Sequence, residues 1–433
     1  MPVNKERKVL LLLLLFLAIG ATAFAEVDSP LRPVSPQIMG QGGSAVATAS
    51  GYEALFSNPA GFVAPKGEGS LTYYTSTFWL YGNPMRAFLA LVDADTSALQ
   101  NYVNDQLGSG GFGFGNADGI GLVGRGFGLG GVITFDVFLP DAASEGDLAV
   151  TLAFIGGYAF PIRIRDAVLK FGVDFRPMIR ILAPVDYATM SDFIDALQTD
   201  ADPLANLNSA DALHGTALGI DLGVILEWEQ LRWGLAVRDL LNTRFRYSQD
   251  PFGDILVSLR ESGSFPTGGT AVSSHYVPMD ISTGFAYDFD FGTSKRVTNL
   301  VLCWSVEDIA TMVAEELPVS SALHAGAELE LFGKWQLRAG FNQGYLTFGT
   351  GIQFWVLDLN LAFFARETGS LSTNRANPGM TFELAFRQEG KRERKRDSRR
   401  DDKRVTEEDA EEAATDQQPA EEIPTDEAPT DLE

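Results

Sequence analysis

The chain has 433 residues, of which 45% are hydrophobic and 11% aromatic, and its net charge is −24. An acidic balance of this kind excludes the basic footprint that a nucleic-acid-binding protein needs. The single cysteine, Cys303, excludes an internal disulfide, and the three histidines are too scattered to suggest a metal site. Because no nucleophile motif such as Gly-x-Ser-x-Gly occurs either, we expect no enzymatic activity, no metal and no other cofactor.

The N-terminal segment has the order of features that defines a secretory signal peptide. A basic start around Lys5 and Lys8 precedes an apolar run at 9–18 and the small-residue site Ala23-Phe24-Ala25. The alternative is a membrane anchor, but the apolar run is shorter than the roughly 20 residues of a membrane-spanning helix. Residues 1–25 are therefore predicted to be a signal peptide that is removed from an exported protein.

From about residue 69 to residue 387 the sequence repeats alternating segments of about ten residues, separated by Gly, Asn, Asp or Pro. A period of two places alternate side chains on opposite faces of a β-strand. A soluble β-sandwich would give the same period. Charged residues occur mid-strand on the face with fewer apolar residues, and aromatic residues lie near strand ends. Both features instead favour a transmembrane barrel with a polar interior. The aromatic residues expected in its interfacial girdles are Phe78, Trp79, Trp228, Trp304, Trp335, Phe354 and Trp355.

Counting the segments predicts an all-β, antiparallel barrel of about 14 strands at 69–387. The strands expected from the C-terminus backwards are 378–387, 356–366, 344–353, 334–342, 321–332, 297–306, 275–288, 230–239, 213–228, 166–180 and 147–160. Candidates at 69–80, 83–92, 119–126 and 127–138 raise the total to fifteen. Since single-chain bacterial barrels have even strand numbers, one candidate should be false, and Gly119–Gly131 is the suspected place. Twelve or sixteen strands remain open.

The connections between these strands predict which strand ends share a side of the barrel. Short turns near 229, 333 and 355 fall on one side, and the long connections fall on the other, as in outer-membrane barrels. Two stretches within the long connections, 192–197 and 306–317, have apolar residues at helical spacing. They are interpreted as short helices at the barrel rim or, alternatively, as a lid for an apolar ligand.

Residues 26–68 precede the strands and are rich in Gly, Ala, Ser and Pro, which suits a compact segment inside a barrel. The runs Gly42-Gly43-Ser44-Ala45-Val46-Ala47 and Asn58-Pro59-Ala60-Gly61 resemble the N-terminal region of FadL-type outer-membrane proteins. That family includes transporters of long-chain fatty acids and hydrocarbons, with PorV-like and TraF-like relatives. The C-terminal runs Leu337–Asn342 and Thr347–Gly351 are similar to the last strands of the same group.

The resemblance implies a barrel in the cell outer membrane whose lumen is plugged by the segment 26–68. It implies capture of a hydrophobic compound such as a fatty acid from outside, passage to an apolar luminal pocket, and lateral release between strands. Membrane lipids and this ligand would be its partners. The expected hatch residues are Gly42, Gly43, Ser44, Asn58, Pro59 and Ala60, whereas the ligand contacts stay unknown. The hatch motif has a purely structural alternative, since Asn-Pro forms a turn that would hold the plug in place.

Residues 388–433 depart from the family pattern. The segment is dense in charge, and its stretch 405–433 contains twelve acidic side chains and no basic one. Such a composition predicts a disordered tail, which an even strand count would leave in the periplasm. The tail is interpreted as a solvated end or as a tether to periplasmic proteins. The second interpretation supports an alternative function, a structural or secretion-associated barrel that binds envelope proteins.

Overall fold

The computed structural model describes residues 28–64, 69–92, 96–196, 207–266, 270–292, 296–314, 316–367 and 376–389. The chain divides into two units, residues 1–390 and Lys391–Glu433. The second unit lies outside the described residues, as does the expected signal peptide at 1–25. Among the residues that are described, no helix combines the length and the apolar composition needed to cross a bilayer.

The described chain contains sixteen strand segments and six α-helices. The strands are β1 (Ser70–Tyr81), β2 (Phe112–Gly124), β3 (Phe127–Leu139), β4 (Gly146–Ile164), β5 (Ala167–Val185), β6 (Asp211–Trp228), β7 (Leu231–Arg238), β8 (Thr243–Pro251), β9 (Thr270–Val277), β10 (Asp280–Asp290), β11 (Val297–Val306), β12 (Leu323–Leu331), β13 (Trp335–Asn342), β14 (Tyr345–Phe354), β15 (Leu357–Glu367) and β16 (Ala376–Glu389). The helices are α1 (Pro36–Gly40), α2 (Pro84–Val92), α3 (Thr96–Leu107), α4 (Tyr187–Ala196), α5 (Phe252–Ser262) and α6 (Ile309–Ala314). Short 3-10 helices lie at Gly51–Leu55, Pro59–Phe62 and Val319–Ala322.

The strands form one closed antiparallel barrel. Consecutive strands pair from β1 to β7 and from β10 to β16, β7 pairs with β10, and β1 pairs with β16 over eleven residue positions to close the ring. The strand β6 pairs with β7 through its C-terminal half and with β8 through its N-terminal half. The segments β7 and β8 are therefore one barrel strand, and β9 and β10 are its partner. The sixteen segments make fourteen barrel strands, as the sequence predicted.

A wide bulge interrupts the barrel between β7 and β8. The chain at 239–242 has positive φ at Asp239, Leu241 and Asn242, and the Leu241 side chain is 81% exposed. The Leu240 amide still donates to the Ile220 carbonyl at 2.8 Å, so the wall keeps one main-chain bond across the bulge. The bulge bends the strand, because extra residues on one strand face fewer on its partner. The prediction of a single long connection at 240–274 was therefore wrong, because β8 and the start of β9 lie within it.

The two ends of the barrel differ in their connections. At the proximal end, tight turns with positive φ at Arg125, Arg165, Glu229 and Trp355 join the strands. At the distal end lie α2 to α6, within the longer connections. The predicted separation of short and long connections is confirmed, except for the short distal turn at 343–344. The strand β1 begins and β16 ends at the proximal end, as an even strand count requires.

Large apolar side chains cover the outer face of the wall. They include Phe127, Leu129, Phe154, Leu218 and Phe348, each more than half exposed. An apolar band of this extent is the surface that a transmembrane barrel presents to lipid. The girdle positions Trp228, Trp304, Trp335 and Trp355 are also exposed. For Trp79 the girdle prediction was wrong, because its ring points into the lumen, where Nε1 donates to Asp136 at 2.6 Å.

Helices cover the outside of the wall near the distal ends of β1 to β6. Apolar residues from α2, α3, α4 and α5 form one buried cluster with outward residues such as Leu148 and Ile181. The cluster explains why the candidate strand 83–92 was wrong. Pro84 begins a helix there, and Ala87 and Ala90, three residues apart, turn toward the wall. The suspicion about Gly119–Gly131 was wrong too, since both β2 and β3 pass through it. The expected helix at 192–197 overlaps α4 up to Ala196, with residue 197 outside the described residues, and that at 306–317 contains α6.

Candidate functional site in the barrel lumen

The segment 28–64, called the plug from here on, lies inside the barrel. Its hydrogen bonds reach strands on several sides of the ring, which is possible only from the lumen. The Asp28 amide donates to the Tyr276 carbonyl, the Thr381 hydroxyl donates to the Val34 carbonyl, and the Gly126 amide donates to the Phe62 carbonyl. The plug therefore starts in the distal half of the lumen and ends beside the proximal turn between β2 and β3.

Asn58, the first residue of the predicted hatch motif, is fully buried between the plug and the wall. Its Nδ2 donates to the Val46 carbonyl of the plug at 2.9 Å, and it approaches the wall carbonyls of Val224 and Leu235 at 3.3 Å. Its Oδ1 accepts from the Ala60 amide at 3.0 Å and so caps the 3-10 helix that Pro59 begins. The side chain thus joins two parts of the plug to β6 and β7.

The other predicted hatch residues lie at a separate place on the wall. Gly42 and Gly43 adopt positive φ of 72° and 85° and contact β12 and β13, while Ser44 is buried beside them. The Gly42 carbonyl lies 2.9 Å from His324 Nδ1. A Cβ on Gly42 would lie 2.2 Å from the Ala325 carbonyl oxygen, so only glycine fits. The two halves of the motif meet only indirectly, through the bond between Asn58 and Val46.

Glycines of the wall form the surface on which the plug main chain rests. A Cβ on Gly172 would lie 2.3 Å from the carbonyl carbon of Pro59, and one on Gly223 would lie 2.0 Å from Asn58 Oδ1. The wall glycines that approach the plug in this way, called the glycine belt, are Gly119, Gly121, Gly128, Gly130, Gly157, Gly172, Gly223, Gly234, Gly326, Gly340 and Gly349. The belt was not predicted, although its glycines occupy the inward-facing positions of the alternating strands.

Ion pairs line the lumen wall around the plug. Arg176 is fully buried and pairs with Asp239 at 2.7 Å and with Asp221 at 3.2 Å. A second group on the opposite wall contains Arg387 with Glu383 and Asp358. Each cation faces at least one carboxylate, which is the condition under which charge is tolerated in a buried place. The plug is thus enclosed by a wall whose charges are largely matched.

Between these charged groups, the inner wall and the plug share an apolar cluster. Plug residues such as Leu55, Phe56 and Phe62 pack against wall residues such as Ile155 and Ile225. The sequence analysis expected an apolar pocket in the lumen. Most of the apolar surface is instead filled by the plug itself.

A cavity of about 220 Å³ remains between the plug and the wall in the distal half of the lumen. Its charged lining consists of Arg32, Arg238, Glu53, Asp280, Glu307 and Asp308. Its apolar lining includes Val34, Ile38, Met39, Phe56, Tyr81 and Phe364. The cavity, called the distal cavity below, is therefore both aromatic and acidic. The sequence analysis left the ligand contacts unknown and did not identify these residues.

Arg32 ties the plug to the wall beside the distal cavity. Its guanidinium donates to Asp280 at 2.6 Å and to both carboxylate oxygens of Asp308, at 2.8 and 3.0 Å. A bidentate pair of this kind fixes the geometry of both partners. The side chain is 31% exposed, so the pair is reached by solvent.

Glu53 of the plug also lines the distal cavity. Burial and, next, the nearby Glu383 raise the pKa of its carboxyl to about 7, against the lowering effects of Arg387, Ser35 and Arg338. A carboxyl with a raised pKa holds its proton more strongly in the folded protein than in the unfolded chain. It therefore gains its charge near neutral pH.

Replacing Asn58 with alanine should loosen the plug. The substitution leaves the buried Val46 carbonyl and the Ala60 amide without partners, at a cost of about 1–3 kcal/mol. We expect faster hydrogen exchange at the amides of Ala60 and Gly61, measured by mass spectrometry in detergent. The control Asn83→Ala removes a cap of α2 outside the lumen and should leave those amides protected. Unchanged exchange in N58A would contradict the role given to Asn58.

Adding a side chain to the glycine belt should displace the plug. In Gly223→Val the new Cβ overlaps Asn58 Oδ1, whereas in Gly156→Val the nearest atom to the Cβ is 3.9 Å away. Both glycines lie within strands of the wall, so the two variants differ mainly in contact with the plug. We expect G223V to raise ion conductance in planar bilayers and G156V to match the unsubstituted protein. Equal conductance in all three would show that the belt does not hold the plug.

Glu53→Gln should remove a pH dependence of stability. Because the folded pKa is raised, the contribution of Glu53 to stability is complete below its unfolded pKa and is lost as the pH rises through about 7. We expect the unsubstituted protein to lose stability between pH 5 and pH 8 relative to E53Q. Urea unfolding of both proteins in detergent at the two pH values measures this difference. A constant difference between them would rule out the titration of Glu53 in this range.

Comparison with known proteins finds similarity to solved barrel structures. No family model matches the chain, and no curated protein matches it. Among solved structures, it resembles a Pseudomonas aeruginosa FadL homologue at 13% identity, covering 84% of this chain and 99% of that one with a TM-score of 0.43. It also resembles the Ralstonia pickettii toluene transporter TbuX (12% identity, 83% and 99% covered, TM-score 0.44). The P. putida toluene transporter TodX is similar at 12% identity, with 83% and 99% covered and a TM-score of 0.42.

Proposed function

We propose that this barrel carries hydrophobic small molecules across an outer membrane, in the manner of FadL-type proteins. A solute would enter the lumen at the distal end, pass along the plug and leave toward the membrane. The proposal assigns the plug the role of a hatch and assigns Asn58, Pro59 and Ala60 the role of its proximal anchor.

The observation that carries the proposal is the position of the large apolar cluster inside the barrel. An open diffusion porin has a polar, water-filled interior. Here the plug and the inner wall bury aromatic and aliphatic residues against each other, among them Phe56, Phe62, Tyr81 and Phe364. Small movements of the plug would open apolar surface to a solute and would favour hydrophobic compounds over hydrated ones.

The bulge at 239–242 supports a lateral exit at β7 to β10. Main-chain pairing is weakest there, and Leu241 reaches outward from the wall. On the lumen side the bulge adjoins β6, whose carbonyl at Val224 lies against Asn58. A shift of the hatch would therefore act directly on the strand that borders the bulge.

The finer expectation of a long-chain fatty acid stays a prediction. Carboxylates outnumber guanidinium groups around the distal cavity, which favours neutral compounds over anions at that place. The alternative function, binding of envelope proteins, depends on residues 388–433, of which 390–433 lie outside the described residues. It also stays a prediction.

Uptake by whole cells tests the proposal. Cells with an outer membrane that express the protein should accumulate labelled toluene faster than cells with an empty vector. Labelled oleate and a labelled disaccharide, supplied in parallel, separate neutral, anionic and hydrophilic solutes. We expect the largest gain for toluene and none for the disaccharide, because the described plug packs apolar side chains against the inner wall.

The G223V and G156V variants complete the design. Displacing the hatch should change toluene uptake in G223V, whereas G156V should behave like the unsubstituted protein at equal expression. A gain for the disaccharide alone would identify a diffusion porin. No gain for any solute, from correctly inserted protein, would refute transport.

A further inference from the structure

The distal cavity contains more negative than positive charge. Arg32 is matched by Asp280 and Asp308, and Arg238 is already engaged with Asp221 and the Leu31 carbonyl. Glu307 accepts from the Ala45 amide and the Ser305 hydroxyl, and among the described residues no ion pair joins Glu307 or Glu53 to a guanidinium group. The lining thus contains four carboxylates against two guanidinium groups and one histidine, which favours a cationic ligand.

One carboxylate oxygen of the cavity lining has no hydrogen-bond partner among the described residues. Asp280 is 5% exposed, and its Oδ2 accepts from Arg32 and from the Ser282 hydroxyl, at 2.6 and 3.0 Å. Its Oδ1 is buried, and no described residue donates a hydrogen bond to it. A buried carboxylate oxygen without a donor is costly, and a donor brought by a ligand would remove that cost.

The rest of the lining suits an organic cation rather than a metal ion. Phe56, Tyr81 and Phe364 supply aromatic surface, which attracts ammonium groups through the ring face. Within the described ranges, no group of three or more His, Cys, Asp or Glu side chains has the arrangement to hold a metal ion. The cavity volume of about 220 Å³ exceeds the roughly 150 Å³ in which an engineered protein cavity binds benzene.

From these features we infer that the distal cavity binds a small organic ammonium ion, a primary amine carried on one aromatic ring or a short apolar chain. The ammonium group pairs with the Asp280 carboxylate and faces Glu307, and the apolar part lies against Phe56 and Phe364. Hydrophobic amines then form a substrate class of the barrel, an assignment that rests on the proposed transport of hydrophobic compounds.

Calorimetric titration with a matched set of ligands tests this inference. Benzylamine, benzyl alcohol and benzoate have similar size and differ in charge. With the full chain in non-ionic detergent at pH 8, benzylamine should bind at least about ten-fold more tightly than benzyl alcohol, because it adds a charged hydrogen bond. Benzoate should bind most weakly of the three.

Asp280→Asn gives the site-specific test. It keeps the size of the side chain and removes its charge, so benzylamine affinity should fall about ten-fold while benzyl alcohol affinity changes less than about two-fold. Asp288→Asn is the matched control, since Asp288 lies on the same strand but pairs with Arg232 near the proximal end. If D280N does not fold, Glu307→Gln serves as the second variant with the same expected direction.

Several outcomes would overturn the inference. They are benzoate binding as tightly as benzylamine, equal losses in D280N and D288N, and calcium binding without any preference among the organic ligands. The toluene uptake measurement separates the two proposals. Toluene uptake without amine selectivity leaves transport standing and removes the amine site, whereas loss of both removes the proposed function as well.

Discussion

Lipid hydrocarbon offers no partner to a main-chain amide or carbonyl, so every strand in contact with it must be paired along both edges. Closure between β1 and β16 satisfies this requirement for the ring as a whole. The bulge between β7 and β8 is the largest departure from it, and even there Leu240 retains a bond to Ile220. The period of two, the outer apolar face and the enclosed lumen all follow from this single condition.

The same period decides how the lumen is filled. Once alternate residues face outward to lipid, the remaining positions face a narrow interior, and large residues there would leave no room for a plug. Glycines at inward positions such as Gly172 and Gly223 let main chain lie directly on main chain. Bulky inward residues occur where the plug provides space, as for Trp79 beside Asp136.

The sequence predicted the barrel well where one face of a strand meets lipid and the other meets the lumen. It failed at 83–92, where α2 packs on the outside of the wall, and at β8, whose outward Arg244 and Arg246 remove the apolar contrast. At the site, the resemblance named Asn58 as a hatch residue; its side chain joins the plug to β6 and β7, while its hatch role stays a prediction. The resemblance could not identify the distal cavity, because Arg32 and Asp308 are far apart in sequence and meet only after the ring closes.

The two halves of the plug are held by different physical means. In the proximal half, Asn58 and its neighbours meet wall glycines through short contacts of fixed geometry, which a small displacement would break all at once. In the distal half, Arg32 is held by ion pairs that solvent reaches. A charged ligand can take the place of one member of such an ion pair. No ligand of similar size can take the place of packed main chain. The distal half is therefore the part of the plug whose wall contacts a ligand can replace at low cost, whereas the contacts of the proximal half depend on close packing.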